Sequence, residues 1–324
     1  MLEKIVIKNF PLDTKIMGVM LLESITQGET KQKTSFLTLG LTDGKEKIEA
    51  KYWNCSKDNF EIPEQSLIGV ELYAKNYMDA KSFEVTRYTK MPDYCGYTVS
   101  DFVVKPPIPA EDMYNFILCT VCSTAENGVC DSVVSIVRYL YDKNKEKLMY
   151  WSAAERVHHN LYSGLLYHTF RMLQLAMVAV KVYPCANPQL LLCAVALHDI
   201  GKLEELETSS LGSAKYTVDG NLFGHTALGL RMIDKAAEYL NIPDEETRDL
   251  RHCIAAHHGK TEWGAVAKPA TIEAYLLHEI DMIDSRVYQF EDIYNNTEPG
   301  EVSDRIFGLD NTKIYHSELF HGSI

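Results

Sequence analysis

The chain has 324 residues, 46% of them hydrophobic, and a formal net charge of −13. This is the composition of an ordinary soluble globular protein, long enough to bury a sizeable core and to favour two domains over one. The acidic surplus excludes nonspecific coating of nucleic acid, which needs clustered Lys and Arg. The longest uninterrupted apolar run, residues 190–197, is too short to span a bilayer, and the first residues hold no long apolar segment, so no membrane partner and a cytoplasmic location are expected.

From residue 15 to about residue 90 the pattern is strand-like. Ser35, Leu37, Leu39 and Leu41 alternate with Phe36, Thr38, Gly40 and Thr42, and Asp43-Gly44 supplies a tight turn into the alternating run 48–53, which predicts a hairpin. Residues 68–77 and 82–89 fit two more strands joined by a polar turn at 78–81. Several short antiparallel strands in this length predict a small barrel. Residues 1–105 hold 14 Lys and Arg against 15 Asp and Glu, so the surplus acid lies in the remainder, and a polyanion meets less repulsion at the N-terminal part.

Lys105-Pro-Pro-Ile-Pro109 forbids continuation of a helix or central strand and places a domain boundary between residues 105 and 106. Beyond it the periodicity predicts helices over 110–122, 129–143, 164–183, 188–205, 224–240, 245–257 and 271–290, followed by an irregular, packed-down tail from 295. The eight cysteines lack the spacing of a disulfide scaffold and read as reduced, mostly buried thiols, with Cys119 and Cys122 as two core thiols on a helix.

The chemistry lies among the histidines. His168 shares a helical face with Met172, Leu175 and Ala179, and alone it reads as a core histidine. His198-Asp199 directly follows the apolar run 190–197, where a buried aspartate is expensive unless a cation compensates it. Lys202 comes one helical turn after His198, positioned either to reach an anion held over metal ions or to satisfy helix-end carbonyls beside Gly201. His225 opens a predicted helix, His257-His258 closes another, and Asp281 has Asp284 one turn on, so either acid fits as a ligand. Neutral imidazole with carboxylate suits manganese, iron, cobalt, nickel or zinc, and a carboxylate can bridge two such ions. The set points to metal-assisted hydrolysis.

The ordered set His168, His198-Asp199, Asp281 resembles the HD phosphohydrolase superfamily, and His225 and His257 match its two-metal branch. Three longer strings are more specific: residues 153–169, Gly220-Asn-Leu-Phe-Gly-His225, and Ala256-His-His-Gly-Lys-Thr-Glu-Trp-Gly264. With a barrel containing Phe36-Leu-Thr-Leu and Ile48-Glu-Ala-Lys-Tyr-Trp53, nearly the whole chain is similar to the YhaM family of 3'-to-5' exoribonucleases. The resemblance implies a five-stranded OB-like barrel over 1–105 followed by an all-α HD helical bundle over 106–324. It implies that His168, His198, Asp199 and Asp281 hold one ion and that Asp199, His225 and His257 hold the other, with Asp199 bridging and His258 open.

The implied metal is Mn2+, with Co2+, Fe2+, Ni2+ and Zn2+ as alternatives. The implied reaction is hydrolysis of single-stranded RNA, with DNA open, to 5'-mononucleotides by a two-metal-activated hydroxide. Asp199 and Lys202 are then the catalytic residues, Lys202 offsetting developing negative charge. An OB surface stacks bases on rings and tracks phosphates with cations, which makes Phe36, Lys51, Trp53, Tyr73, Lys75 and Arg87 candidates, although alternation does not say which face is outward. The rival expectations are a phosphodiesterase of small nucleotides, a di-iron oxygenase with the same ligands, and a non-catalytic single-strand-binding protein. Oligomeric state, a homo-oligomer included, is open.

Overall fold

A computed structural model describes residues 2–30, 32–77, 80–91, 96–103, 105–125, 131–153, 161–209 and 214–319. The chain divides into two compact units, Met1–Val104 and Lys105–Ile324. Residues 78 and 79 of the predicted turn at 78–81 and residues 154–160 of the 153–169 string lie outside the described residues.

The first unit is a closed barrel of β1 (Lys15–Glu29), β2 (Ser35–Thr42), β3 (Lys47–Trp53), β4 (Ser66–Tyr77) and β5 (Ala80–Lys90), in the order β1-β2-β3-β5-β4. Every pairing is antiparallel except the parallel one between β3 and β5 that closes the ring. This is the five-stranded OB arrangement. The predicted period of two fills its interior: Leu37, Leu39 and Leu41 of β2 and Ala50 of β3 are buried with Met20, Leu22, Val70 and Leu72. The alternation therefore sends Phe36, Thr38, Lys51 and Trp53 outward.

The Asp43-Gly44 turn is fixed by two devices. The Asp43 carboxylate accepts from the backbone N–H groups of Ile7, Lys45 and Glu46, each at 2.8 Å. Gly44 adopts φ +86°, where a side chain would also strike the backbone of Phe102 at 2.7 Å.

The second unit contains, among the described residues, α1 (Ala110–Cys122), α2 (Asp131–Lys143), α3 (Lys145–Leu148), α4 (Gly164–Val182), α5 (Pro188–Leu197), α6 (Lys202–Glu205), α7 (Val218–Leu240), α8 (Asp244–Ala256) and α9 (Ile272–Asn296). Its core is built round α5, every residue of which after Pro188 is buried. That helix starts where Asn187 accepts from the Leu190 N–H at 3.1 Å with Pro188 at the first helical position. No described helix is long and apolar enough to cross a membrane.

Three expectations are corrected here. The single helix predicted over 188–205 is broken at His198–Gly201 into α5 and α6; the turn is as buried as the helix, so the apolar period runs through it unchanged and does not reveal it. The bundle is not purely helical: β6 (Leu206–Thr208) pairs with β7 (Ala214–Tyr216). The tail is not irregular: β8 (Val302–Ile306) pairs with β9 (Thr312–Tyr315), and Ile314 and Leu309 pack on Ile293 of α9. The thiols also depart from expectation. Cys193 and Cys253 are buried, but Cys119 is exposed and Cys122 half-buried, since α1 turns Met113, Tyr114, Ile117 and Val121 to the core instead.

Candidate metal centre

The break between α5 and α6 is where the site is built. His198 ends α5 and donates from Nδ1 to the Val195 carbonyl at 2.8 Å; His257 ends α8 and donates from Nδ1 to the Ile254 carbonyl at 2.6 Å. Each ring thus satisfies a carbonyl that a helix C-terminus leaves without an intrahelical partner. A carbonyl only accepts, so the proton must sit on Nδ1 and the Nε2 lone pair faces inward.

Carboxylates fix the other two rings in the same way. His168 of α4 donates from Nδ1 to Asp284 Oδ2 at 2.7 Å, and His225 donates from Nδ1 to Glu205 Oε1 at 3.1 Å. Gly224, at φ +68°, kinks α7 so that the His225 backbone N–H also reaches Glu205 Oε1, at 2.9 Å.

Four Nε2 atoms therefore converge with their lone pairs facing each other. His168 and His198 approach to 3.2 Å between Nε2 atoms, and His225 lies 3.4 Å from His257 and 3.2 Å from His258. Their ligand atoms fall into two groups, each within 4.8 Å: His168, His198 and Asp281, and His225, His257 and His258. Facing lone pairs cannot hydrogen-bond each other, and a cation is what satisfies all of them, so the donor set fits a divalent metal. Asp199, buried, spans the two groups. Its Oδ2 lies 3.3 Å from His198 Nε2 and 3.8 Å from His168 Nε2, while Oδ1 lies 3.3 Å from His225 Nε2.

The electrostatics agree. Burial opposes the charge on Asp199, but Lys202, His198 and His225 together outweigh it and hold the carboxyl well below its usual range. Burial likewise opposes a charged Asp281, yet its contacts with His168 and His198 lower it. Burial and the neighbouring imidazoles keep His257 far below its ordinary value, and burial with His225 brings His258 down to about 4. His168 goes the other way: burial pulls it down, but Asp281 and Asp284 outweigh that and push it up to about 9. Without a metal ion a proton on His168 Nε2, facing Asp281 at 3.3 Å, carries part of that positive charge, and a bound cation would displace it.

All six predicted ligand positions, His168, His198, Asp199, His225, His257 and Asp281, come together. His258, left open by the sequence, joins the His225 group. Asp284 does not: it sits behind His168 and takes Arg171 Nε at 2.6 Å on its other oxygen. Lys202 pairs with Asp199 Oδ2 at 2.7 Å, while its carbonyl accepts from Trp151 Nε1 at 2.8 Å. Sequence reasoning missed Glu205 and Arg171. Glu205 had one signal, its place one helical turn after Lys202.

The barrel candidates separate into two sets. Phe36 and Trp53 are cross-strand partners on the outer face of β2 and β3, with ring centroids 5.1 Å apart, and Trp53 is 41% exposed. Lys51 sits 4.9 Å above the Phe36 ring, which lies so closely over Gly28 that a Cβ there would meet it at 2.5 Å. On β4 and β5, Tyr73 bonds Asp13 at 3.2 Å, Lys75 pairs with Glu84 at 3.1 Å, and Arg87 stands opposite Glu71. These three are engaged with acids rather than grouped with rings.

An OB barrel followed along the chain by a helical bundle with converging His and Asp side chains defines an HD-domain metalloprotein, and the HD domain family matches residues 165–286. The 3'-5' exoribonuclease YhaM of Geobacillus sp. (strain WCH70) is 35% identical over 311 residues, covering 95% of this chain and 94% of that protein. The one from Bacillus subtilis (strain 168) is 34% identical over 303 residues, covering 93% and 94%. The chain belongs to the YhaM family. Among solved structures, the second OB-fold domain of replication protein A from Methanococcus maripaludis covers 24% of this chain and 84% of its own, at 18% identity and a TM-score of 0.20; the barrel is assigned here from its own strand order.

Proposed function

We propose that this protein is a cytoplasmic, divalent-metal-dependent 3'-to-5' exoribonuclease that shortens single-stranded RNA by one 5'-mononucleotide at a time. The observation that carries the reading is the meeting of two imidazole groups on the two oxygens of Asp199. Two divalent cations, Mn2+ by the family resemblance, would be held by His168, His198, Asp199 and Asp281 and by Asp199, His225, His257 and His258; they would lower the pKa of a water and offset phosphate charge.

The protein's own groups do the rest. Asp284 and Glu205 keep the protons of His168 and His225 on Nδ1, so both Nε2 atoms stay available as donors of electron pairs. Lys202 holds Asp199 in place and adds a fixed positive charge where a phosphodiester would gain negative charge. Phe36 and Trp53 offer a stacking surface for bases, and Lys51 a charge for the backbone.

The test is incubation of the purified full chain with Mn2+ and single-stranded RNA or DNA labelled at the 5' end. A ladder shortening from the 3' end with mononucleotide products is expected. Internal cleavage, or no shortening with any divalent metal, would overturn the reading.

A further inference from the structure

Beside the metal centre lies a cavity of about 270 Å3, lined by His258 and Asp281 on one hand and by Trp263, Arg286, Gln289 and Asp310 on the other. Such a volume lies just below the roughly 300–1,000 Å3 of small-ligand sites. It has room for one nucleoside.

Trp263 is the unusual member. It is 46% exposed, yet the loop that carries it is built rather than loose. Gly259 at φ +72° and Gly264 at φ +97° turn the chain on either side of it, and the Val266 N–H returns to the Ala255 carbonyl at 2.9 Å. A side chain at Gly259 would strike the His278 ring at 2.3 Å, and one at Gly264 would approach His258 Nδ1 at 3.2 Å. Backbone geometry thus ties the indole to the ligand His258. Lys260 Nζ lies 4.3 Å from the ring centroid, a cation–π contact that helps to hold the indole in place.

The cavity's far wall comes from the C-terminal segment. Gly308 packs so tightly on α9 that any side chain there would meet Gln289 Oε1 at 2.0 Å. The ion pair of Arg286 with Asp310, at 3.5 Å and largely in water, is weak enough to open for a ligand.

We propose that this cavity seats the 3'-terminal nucleoside of the substrate and that Trp263 is the platform on which its base stacks. The inference rests on the exonuclease reading above. It is in keeping with release of single nucleotides: with a phosphodiester at the metal centre, the adjoining cavity would take the one terminal residue. Since every base has a π-face, it also implies indifference to which base is terminal.

The test is a coupling cycle on a short RNA that ends in either a normal or an abasic 3' nucleotide, with full-length wild type, Trp263→Ala and Trp263→Phe. Base stacking of ~1–3 kcal/mol, at 1.4 kcal/mol per tenfold, converts to a loss of about 5- to 140-fold. Trp263→Ala should lose that factor in kcat/KM on the normal end, wild type should lose it on the abasic end, and the two changes together should cost no more than either alone. Trp263→Phe should recover most of the loss and show the same coupling. Losses that multiply, or no loss in Trp263→Ala, would sink the proposal while wild type still shortens RNA; an inert wild type would sink the exonuclease reading itself.

Discussion

Asp284 grips His168 and Arg171 at once, with one carboxylate oxygen 2.7 Å from the imidazole Nδ1 and the other 2.6 Å from the guanidinium Nε. Arg171 in turn reaches Glu291 at 2.6 Å. A histidine of the candidate metal centre is thereby oriented by an acid that is itself oriented. Outer partners of this kind are worth about 10- to 100-fold in metal affinity. Asp284→Asn should weaken Mn2+ binding by that factor in a metal titration, while Glu291 keeps Arg171 in place.

Asp199→Asn should remove turnover altogether and also destabilise the protein before any metal is added. It strips the nearest counter-charge from Lys202, and an orphaned buried charge costs up to about 3–5 kcal/mol. Chemical denaturation in chelator should detect the loss, and adding Lys202→Met should recover most of it without restoring activity. Stability unchanged by Asp199→Asn would show that Lys202 does not depend on this pair.

The imidazoles predict a pH response with a definite sign. His258 is lowered to about 4 and His257 well below its ordinary value, so between the unfolded value near 6.5 and pH 4 the unfolded chain binds protons that the folded chain refuses. Stability in chelator should therefore fall as pH drops from 6.5 towards 4. His168, raised to about 9, acts oppositely: its contribution is present below pH 6.5 and is lost as pH rises through 9. Melting temperatures across pH 4–10 should pass through a maximum, and His258→Gln should flatten the acid side alone.

On the barrel, Trp53→Ala should weaken single-stranded RNA binding by about 5- to 140-fold, the equivalent of one ~1–3 kcal/mol stack. Lys51→Gln should instead reduce the slope of log affinity against log salt by about 0.7, the loss of one phosphate contact on a single strand. Equal effects of Trp53→Ala and Tyr73→Ala would contradict the separation of the two outer faces.

Gly201 packs against α7 so closely that a Cβ would meet the His225 carbonyl oxygen at 2.0 Å and the Gly229 nitrogen at 2.5 Å. Gly201→Ala must push α6 from α7. Overpacking of this kind costs about 1–3 kcal/mol, and because it parts His225 from Asp199, manganese affinity should drop along with the melting temperature.

What was legible in the sequence followed from chemistry with few substitutes. Only certain side chains bind divalent metals, so His168, His198, Asp199, His225, His257 and Asp281 could be picked out before their positions in space were known. The leucines of β2 exposed the barrel because one face is buried and the other is not. Periodicity failed where burial is uniform: Leu197, His198, Ile200 and Leu203 are all buried, so the break between α5 and α6 left no trace in the apolar pattern. It failed again at β8, whose five residues carry no buried side chain. Glu205, Asp284 and Arg171 were harder still, since an acid that holds a histidine looks the same in sequence as an acid in solvent.

His198 and His257 each hang from the carbonyl three residues earlier in their own helix, and His168 and His225 from carboxylates on packed elements. The receptacle is consequently moulded by helix packing before anything enters it. Exchange of one divalent ion for another would then proceed without refolding, and which ion does the work would be decided by supply and reactivity instead of by the shape of the cage.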